Sequence, residues 1–311
     1  MKQKKVAIII SACSQGELLD KCLYSIKEKT YYKEYKIFFI DDSGTGNLSK
    51  RVKKNFKKIE TIVTSGYTGF SVAFNKGIKM ALKNYNPDYI LLLNDDTKMI
   101  QKNWLEEMIK VGESDERIGI LGCQLIYPNR SLQNVGGHIS GWAITQISKF
   151  KKGEILDVDH IMGAFFLIKR EVIDKIGLLD EIYNPYLLEE TDYGLRAKKK
   201  GFLIKTVTSV RVIHEKSHSI NAIEDKGKLF VRFKNDIVFS TRHLSMKNAL
   251  FRIFVYLPIL AVLEKKKDTD KLKLKNFKLR KHFLRNLCSL TLAFGVSLKN
   301  LNKIKGPSLE K

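Results

Sequence analysis

The sequence lacks the paired cysteines, proline-rich stretches and low-complexity tracts that mark several classes of protein. Its 311 residues include five prolines and four scattered cysteines, with neither Cys-x-x-Cys pairs nor zinc-ligand spacing. We therefore expect free thiols in a reducing, cytosolic compartment, and an ordered chain except at its ends. A chain of this length can bury one large core or two smaller ones.

Long hydrophobic runs are also missing. The N-terminus, MKQKKVAIIISAC, begins with basic residues, but its apolar run is short and is soon followed by Gln15, Glu17 and Asp20. This pattern predicts a first buried strand rather than a signal peptide. Two leucine-rich segments near the C-terminus, ALFRIFVYLPILAVL and LCSLTLAFGVSLKNL, are each too short to span a bilayer.

Acidic residues are scarce relative to basic ones. The chain has 56 Lys and Arg against 33 Asp and Glu, and its net charge is +23. From Lys226 to Lys311 there are 21 basic and 5 acidic residues, so 16 of the excess charges lie there. Aromatic, glycine and basic residues are not interleaved as in RNA-binding modules, so no nucleic acid partner is expected. The basic, leucine-rich helices predicted here suit an anionic membrane surface, and a helical bundle with solvated lysines is the alternative.

The first third of the sequence alternates between strand-like and helix-like segments. Apolar runs in KKVAIIISA, YKIFFIDD, IETIVTS and DYILLLNDD predict strands, whereas GELLDKCLYSIKEKT and SVAFNKGIKMALKN have apolar residues at helical spacing. Strands that are apolar throughout predict a mostly parallel α/β sheet with helices on both faces. Ligands of such sheets bind beyond the carboxyl ends of the strands, so the polar residues that follow each strand are candidates for a site.

The fourth predicted strand ends in three polar residues, Asn94, Asp95 and Asp96. Carboxylate and amide oxygens at a strand end can hold Mg2+ or Mn2+. If the strand continues, Asn94 and Asp96 share one face and Asp95 lies on the other. A plain turn without a ligand is the alternative.

A second acidic strand end occurs in FFIDDSGTG. This segment is similar to the nucleophile loop of haloacid-dehalogenase-type phosphatases, but Ser43 stands where that loop has its second aspartate. Phosphatase chemistry is therefore not expected. The carboxylate of Asp41 can instead accept the imide N–H of a uracil or thymine base, and a Ser/Gly turn is the alternative.

Acidic residues also begin the predicted helix LLEETDYGLRAKKKG. Asp192 and Arg196 are four residues apart, so we expect them to form a structural ion pair. Glu189 and Glu190 remain, and a carboxylate that stays ionised and points into a cleft can act as a general base. A solvated helix start is the alternative.

A histidine ends the strand-like run in VIHEKSHS. His214 is followed closely by Ser217, His218 and Ser219. An imidazole at this position can bind the same metal ion or donate a hydrogen bond to a phosphate. A packed or surface histidine without a ligand is the alternative.

These segments occur in an order that resembles family 2 glycosyltransferases of the GT-A fold, over residues 4 to about 245. VAIIISACSQGELLDKCLYSI is similar to that family's opening strand and helix, KIFFIDDSGTGN to its VVDNGSTDGS, SGYTGFSVAFNKGI to its NLGFAGANNxGI, and YILLLNDDT to its LLLNPDT. The region from IMGAFFLIKREVIDKIGLLDE to EETDYGLRAKKKGF resembles its acceptor side, GACLLIRREVFEKIGGFDE through EDVDLCLRARRAGY, and VIHEKSHS its His-x-x-x-x-Ser ending. The chain is especially similar to bacterial enzymes that build cell-surface polysaccharides, including rhamnosyltransferase-like members.

The resemblance implies roles for particular residues. Asp96 is the expected metal-contacting acid, His214 is a further metal or diphosphate contact, and the implied cofactor is Mg2+ or Mn2+. Glu190 stands where the family usually has the Asp that acts as catalytic base, and Glu189 is the alternative base. The donor-binding residues implied are Ser11, Cys13, Asp41, Gly69, Asn75, Asn94 and Asp95.

The implied activity is inverting transfer of a sugar from a UDP- or dTDP-sugar donor to a saccharide or lipid-linked acceptor in cell-surface polysaccharide assembly. The base takes the proton of the acceptor hydroxyl, while the metal stabilises the departing diphosphate. The implied domains are a GT-A catalytic domain, 1–225, and a basic helical tail, 226–311. Within the first, the nucleotide-binding half is about 1–100 and the acceptor-side half about 101–225. The tail would hold a cytoplasmic protein on the inner face of the plasma membrane.

Two other function classes remain open. A nucleotidyltransferase should carry a phosphate loop rich in glycine and basic residues where this chain has SACSQGE. A non-catalytic protein of the membrane surface would leave the acidic residues dispensable. Two positions also depart from the family pattern, because Tyr67 replaces the usual Asn of the loop motif and Ser11 the usual Thr of the first strand end.

Overall fold

The computed structural model describes residues 3–14, 16–215, 225–265, 277–279 and 283–300. The chain divides into two compact units. The sheet unit comprises Met1–Ile139 and Ile144–Ser219, and the helical unit comprises Ser140–Ala143 and Ile220–Lys311. Every site residue named above belongs to the sheet unit, and those after Glu215 lie outside the described residues.

The sheet unit begins with the predicted alternation of strands and helices. Strands β1 (Val6–Ala12), β2 (Tyr35–Asp41), β3 (Glu60–Val63) and β4 (Tyr89–Asn94) are separated by helices α1 (Gly16–Lys29), α2 (Asn47–Asn55) and α3 (Phe70–Asn84). These strands are parallel, in the order β3-β2-β1-β4. The four strands predicted from apolar runs are thereby confirmed.

The second half of the unit extends the sheet with strands of both directions. Its elements are β5 (Thr97–Met99), α4 (Trp104–Gly112), β6 (Ile118–Ile126), β7 (Leu132–Asn134), β8 (Gly137–Ser140), β9 (Ala143–Gln146), β10 (Ile155–Asp157), β11 (Phe165–Lys169), α5 (Arg170–Ile176), a 3-10 turn (Glu181–Tyr183), α6 (Glu189–Lys199) and β12 (Leu203–His214). The sheet order is β10-β12-β6-β11-β4-β1-β2-β3, with β5 paired to β12 and β7 to β6. Strand β11 is antiparallel to both neighbours, whereas β12 runs parallel to β6.

The central strands are buried on both faces, which explains their unbroken apolar runs. Ile8 of β1 and Leu91 of β4 pack into one core cluster, whereas Ile9 and Leu92 pack into the other. Successive side chains of a strand point to opposite faces, so a strand between two cores needs an apolar residue at every position. This packing produces the α/β sheet covered by helices that the sequence predicts.

The carboxyl ends of β1, β2 and β4 lie side by side. Ser11 of β1 pairs with Asn94 of β4, and Ala12 of β1 pairs with Asp41 of β2. The loops that leave these strands therefore begin at one edge of the sheet. This edge is where ligands of parallel α/β sheets bind.

The helical unit has a small core of its own. Its elements are α7 (Asp225–His243), α8 (Met246–Phe251), a π-helical segment (Arg252–Tyr256), α9 (Leu257–Val262), β13 (Leu263–Lys265), β14 (Phe277–Leu279) and α10 (Phe283–Lys299). The core residues are Phe233, Ile237, Leu257, Ala261 and Ala293. Among the described residues, no helix is both long and apolar enough to cross a bilayer.

Candidate active site

Two predicted metal contacts, Asp96 and His214, meet at the carboxyl end of β4. Strand β5 follows Asp96 directly and pairs antiparallel with β12, so that Thr97 lies opposite His214. The backbone N–H of Glu215 donates to the Asp96 carbonyl oxygen at 2.9 Å. This pairing brings Oδ1 of Asp96 within 3.2 Å of Nε2 of His214. Both side chains are buried.

The facing atoms of this pair have no other partner among the residues that the structure describes. Within the described part of the chain, neither Oδ1 of Asp96 nor Nε2 of His214 makes a hydrogen bond. With a neutral imidazole the two facing atoms are both acceptors, and burying them together is costly unless a cation binds to both. Adjacent ligands of an octahedral ion with bonds of about 2.1 Å lie about 3 Å apart, which agrees with this spacing.

Gln133 fixes the orientation of the histidine ring, a role that no sequence pattern predicts. Its Oε1 lies 2.7 Å from Nδ1 of His214, and its Nε2 lies 3.5 Å from the His214 carbonyl oxygen. Because an amide oxygen only accepts hydrogen bonds, Nδ1 must carry a proton. In the neutral ring Nε2 then has its lone pair available, and this lone pair faces the Asp96 carboxylate.

The described residues alone would supply only part of a metal coordination shell. No group of three or more His, Cys, Asp or Glu side chains suited to a metal occurs in the described residues. Asp96 and His214 would thus contribute two ligands, and phosphate oxygens and water would complete the shell. Such a shell would be complete only when the substrate is bound.

Asp95 and Asp96 do not continue the strand, so the condition on which their alternation depended is not met. Strand β4 ends at Asn94, and Asp95 and Asp96 form a turn that Thr97 closes by donating from Oγ1 to the Asn94 carbonyl oxygen at 2.7 Å. The alternation that was expected to separate the faces of Asn94, Asp95 and Asp96 therefore does not apply. Burial, and secondly the Asp96 carboxylate, raise the pKa of Asp95 to about 8.

The candidate base lies at the start of α6. Glu189 is buried, and Glu190 is half-buried near the loop that leads into β11. Burial raises the pKa of Glu190 to about 7, although hydrogen bonds from the backbone N–H groups of Glu190 and Gly163 counteract this. The next residue of that loop, Ala164, accepts a hydrogen bond from the Asn94 N–H at 3.1 Å. One short loop therefore contacts both Glu190 and the end of β4.

The first turn of α6 is held by an ion pair, as the spacing predicts. The fully buried Asp192 accepts from Nε of Arg196 at 2.8 Å and from the hydroxyl of Tyr183 at 3.2 Å. The same guanidinium donates to the carbonyl oxygens of Ile176 and Leu178. The structural pairing of Asp192 with Arg196 is confirmed, and it anchors the turn that carries both glutamates.

The aspartates at the end of β2 organise the surrounding loops. Asp41 accepts from the hydroxyl and N–H of Ser43 and, at 2.8 Å, from the N–H of Ser49. Asp42 accepts from the hydroxyls of Thr64 and Thr68 and from the N–H of Thr68. Both carboxylates are buried, and their hydrogen bonds go to the segments that follow β2 and β3. Recognition of a base by Asp41 stays a prediction.

Gly69 and Asn75 of the loop motif contact the segment before α6. A side chain at Gly69 would place Cβ 2.5 Å from Oδ1 of Asn184 and 2.7 Å from Cα of Pro185, and its φ is +86°. The Asn75 amide donates to the Leu179 carbonyl oxygen at 2.9 Å and accepts from the Leu179 N–H at 3.1 Å. Both residues thus join α3 to the acceptor-side loop, and their donor contacts stay predictions.

Tyr67, one of the departures from the family pattern, lies among site residues. Partial burial, followed by the nearby Cys13 thiol and Asp42, raises the pKa of its hydroxyl, and Glu189 acts in the same direction. Ser11 lies at the carboxyl end of β1 and Cys13 follows that strand, and both are half-buried. The predicted donor and base residues therefore share one region of the sheet unit.

Comparison with solved structures agrees with this fold. The mannosyltransferase PcManGT from Pyrobaculum calidifontis, in complex with GDP-Man and Mn2+, superposes with a TM-score of 0.57 at 12% sequence identity. The match covers 96% of this chain and 76% of that one. At this identity the likeness establishes the fold, which is the GT-A fold of glycosyltransferases.

Sequence relatives carry related names. The O-antigen biosynthesis protein RfbC of Myxococcus xanthus is 23% identical over 70% of this chain, which spans only 18% of RfbC. The N-acetylglucosaminyl-diphospho-decaprenol L-rhamnosyltransferase of Mycobacterium tuberculosis is 22% identical over 68% of this chain and 76% of its own length. Residues 7–177, more than half of the sequence, match the family model described as glycosyl transferase family 2. The chain thus belongs to glycosyl transferase family 2, as its motifs predict.

Proposed function

We propose that the protein is a metal-dependent, inverting glycosyltransferase that uses a UDP- or dTDP-sugar donor. The observation that carries this proposal is the pair of facing, buried atoms, Oδ1 of Asp96 and Nε2 of His214, 3.2 Å apart. A diphosphate donor brings the oxygens that a two-residue metal site needs. The imidazole ligand favours Mn2+ over Mg2+, because Mg2+ takes oxygen ligands.

Glu190 is the proposed general base. Its carboxylate takes the proton of an acceptor hydroxyl as that oxygen attacks the anomeric carbon, from the face opposite the diphosphate. The new glycosidic bond forms while the bond to the diphosphate breaks, and the electron pair leaves with the nucleoside diphosphate. A raised pKa near 7 suits this role, because such a group gains a proton readily near neutral pH.

Asp96 and His214 act on the leaving group. They would hold a divalent ion against the diphosphate, and that ion would neutralise the charge that grows there as the sugar departs. Gln133 keeps the His214 ring in the tautomer and orientation that this contact requires. Asp192 and Arg196 do not contact substrate in this scheme and serve to hold the turn of α6.

The proposed acceptor is a saccharide or a lipid-linked glycan in cell-surface polysaccharide assembly. The M. tuberculosis relative is named for a diphospho-decaprenol acceptor, and the M. xanthus relative for O-antigen biosynthesis. A lipid-linked acceptor agrees with the strong positive charge of residues 226–311, which suits the anionic inner face of the plasma membrane. We therefore propose a cytoplasmic protein that is peripheral on that membrane, with the catalytic domain in residues 1–225 and the tail in 226–311.

A panel of nucleotide sugars tests the proposal. Release of nucleoside diphosphate is measured for UDP-, dTDP- and GDP-sugars in the presence of Mn2+, Mg2+ or EDTA. We expect one uridine or thymidine donor to react only with a metal, and NMR of the product to give an inverted anomeric configuration. Full activity in EDTA would contradict the proposed metal dependence. A product with retained anomeric configuration would contradict the proposed single displacement. A chain that neither binds nor hydrolyses any donor would favour the non-catalytic class.

A further inference from the structure

Exposed apolar side chains are concentrated in the helical unit. Among the described residues, seventeen large hydrophobic side chains are exposed; eleven lie in the helical unit and six in the sheet unit, which has about three times as many described residues. The eleven are Met246, Leu250, Phe251, Phe254, Val255, Ile259, Leu279, Leu284, Leu292, Val296 and Leu298. Such a concentration marks an interaction surface rather than the ordinary scatter of apolar residues.

Six of these residues form one face of a continuous helical stretch, from α8 through the π-helical segment to α9. Met246, Leu250 and Phe254 are spaced four apart, and so are Phe251, Val255 and Ile259. Other residues of the same stretch are buried instead, since Leu257 and Ala261 belong to the core and Arg252 pairs with Asp236. The exposed set is called the apolar face below.

The second long helix near this stretch has a similar exposed row. Leu284, Cys288, Leu292 and Val296 of α10 are exposed and spaced four apart, whereas Asn286, Ala293 and Ser297 are buried. The rings of Phe254 and Phe294 are in contact, with centroids 5.7 Å apart. The helix that carries the apolar face therefore packs against a second amphipathic helix.

The charges around the apolar face identify its partner. Neither Met246–Val262 nor Phe283–Lys299 contains an acidic residue. The connection between them, 263–282, has nine Lys and Arg against three Asp and Glu. A second copy of this chain would bring two strongly positive units together, which is unfavourable. An apolar face flanked by positive charge instead matches an anionic lipid surface.

We propose that the apolar face docks on an anionic phospholipid bilayer, with the stretch Met246–Val262 lying at the boundary of headgroups and acyl chains. Leu250, Phe254 and Ile259 enter the boundary, and the basic residues of the unit attract the negative headgroups. This inference rests on the membrane association proposed above and assigns it to particular residues, whereas it is independent of the proposed transferase activity, because no residue of the apolar face belongs to the active site. A failure of either proposal can thus be told from a failure of the other.

A matched pair of variants in the full chain tests the face. Leu250→Ser/Phe254→Ser/Ile259→Ser removes three side chains that are 50, 58 and 49% exposed. The control, Tyr31→Ser/Val63→Ser/Ile155→Ser, removes three from the sheet unit that are 57, 46 and 46% exposed. Binding is measured by sedimentation with vesicles of phosphatidylcholine, with and without phosphatidylglycerol.

The expected loss is confined to the first variant. Its affinity for phosphatidylglycerol vesicles should fall about tenfold or more, whereas the control should bind like the parent protein. Equal binding by all three proteins would overturn the proposal, as would equal binding of the parent to vesicles with and without phosphatidylglycerol. A changed mass in light scattering, with unchanged vesicle binding, would assign the face to self-association instead.

Tryptophan fluorescence gives a test that needs no variant. Trp142 packs against Phe251 of the apolar face, with ring centroids 5.1 Å apart, and against Tyr256 at 5.0 Å. The chain's other tryptophan, Trp104, is buried. We expect brominated phosphatidylglycerol to quench part of the emission, from Trp142. An unquenched emission under conditions where all protein sediments with vesicles would contradict docking through this face.

Discussion

Gln133 contacts Nδ1 of His214 on the side of the ring opposite Asp96. The distance is 2.7 Å from Oε1 of Gln133, and Nε2 of His214 lies 3.2 Å from Oδ1 of Asp96. The Gln133 amide thus fixes the orientation of the His214 imidazole, and the other nitrogen of that ring faces the Asp96 carboxylate. A hydrogen bond to the other nitrogen of a metal-binding histidine commonly decides how well that ring is oriented.

Replacing Gln133 should weaken metal binding without removing a ligand. We expect Gln133→Leu to lower Mn2+ affinity about 10- to 100-fold, because the His214 ring loses the acceptor that fixes its tautomer. Gln133→Glu should retain affinity, since a carboxylate also accepts from Nδ1. Mn2+ titration followed by electron paramagnetic resonance, with and without UDP, measures both.

Gln101 supplies the control for that experiment. Its amide also bonds to β12, donating to the Ser209 carbonyl oxygen and accepting from the Arg211 N–H, but it does not contact His214. Gln101→Leu should therefore disturb the strand while leaving Mn2+ affinity close to that of the parent protein. Equal losses from both leucine variants would mean that Gln133 acts only by stabilising β12.

Removing Asp96 should abolish the metal-dependent activity and leave the fold intact. Asp96→Ala takes away one of two protein ligands, so we expect sugar transfer to fall about 100-fold or more. Stability should not decrease, because the facing atoms of Asp96 and His214 lack a hydrogen bond among the described residues. Transfer rates and thermal unfolding are compared with Asp157→Asn, a control at a side chain that is 72% exposed. Retained metal-dependent transfer in Asp96→Ala would remove this residue from the site.

The parallel half of the sheet was predictable because its signals are local. Each of β1, β2 and β4 is an apolar run, and the acids at the ends of β2 and β4 are next to those runs in the sequence. The helical spacing of Asp192 and Arg196 was equally local, and their pairing followed from it. The same local logic did not extend beyond Asn94, because the strand ends there and Thr97 closes a turn over Asp95 and Asp96.

The role of Gln133 was not predictable, because it depends on pairings between distant segments. Gln133 approaches His214 only because β7 pairs with β6 and β6 pairs with β12. A single glutamine in a three-residue strand carries no pattern of its own. The intramolecular bonds of Asp41 were hidden for a related reason, since the sequence does not reveal which N–H groups a loop turns toward a carboxylate.

The pH dependence of activity should follow Glu190. A base with a pKa of about 7 is protonated below that pH, so kcat/KM should fall about tenfold for each pH unit below 7. Glu190→Gln should abolish transfer at every pH. If Glu189→Gln is inactive and Glu190→Gln is active, then Glu189 is the base and the assignment is wrong.

The ionisation of Glu190 should also make the stability of the protein depend on pH. A carboxyl whose pKa is raised in the folded state binds its proton more tightly there than in the unfolded chain, so stability falls as pH rises from about 4.5 to about 7. Glu190→Gln cannot ionise and should lose less stability over that interval than the parent protein. Denaturant unfolding at several pH values measures the difference, and parallel curves for the two proteins would contradict a raised pKa.

Alanine substitutions at Gly69 and Gly201 distinguish the cost of backbone strain from the cost of steric conflict. Gly69 and Gly201 have nearly equal φ values, +86° and +89°, but only Gly69 has atoms within 4 Å of an added Cβ. Gly201→Ala should cost about 1 kcal/mol from the left-handed backbone alone. Gly69→Ala should cost about 2 kcal/mol more, because Asn184 and Pro185 must move away from α3.

The two alanine variants also bear on the predicted donor contact. Displacing Asn184 and Pro185 shifts the segment that leads to Glu190, so Gly69→Ala should lower transfer as well as stability, whereas Gly201→Ala should leave transfer unchanged. Denaturant unfolding and steady-state kinetics are measured on both. Equal destabilisation would mean that the loop relaxes freely around a new Cβ. A Gly69→Ala protein with normal stability and a raised donor KM would instead assign Gly69 to the donor site, because only close approach of the donor could then account for the loss.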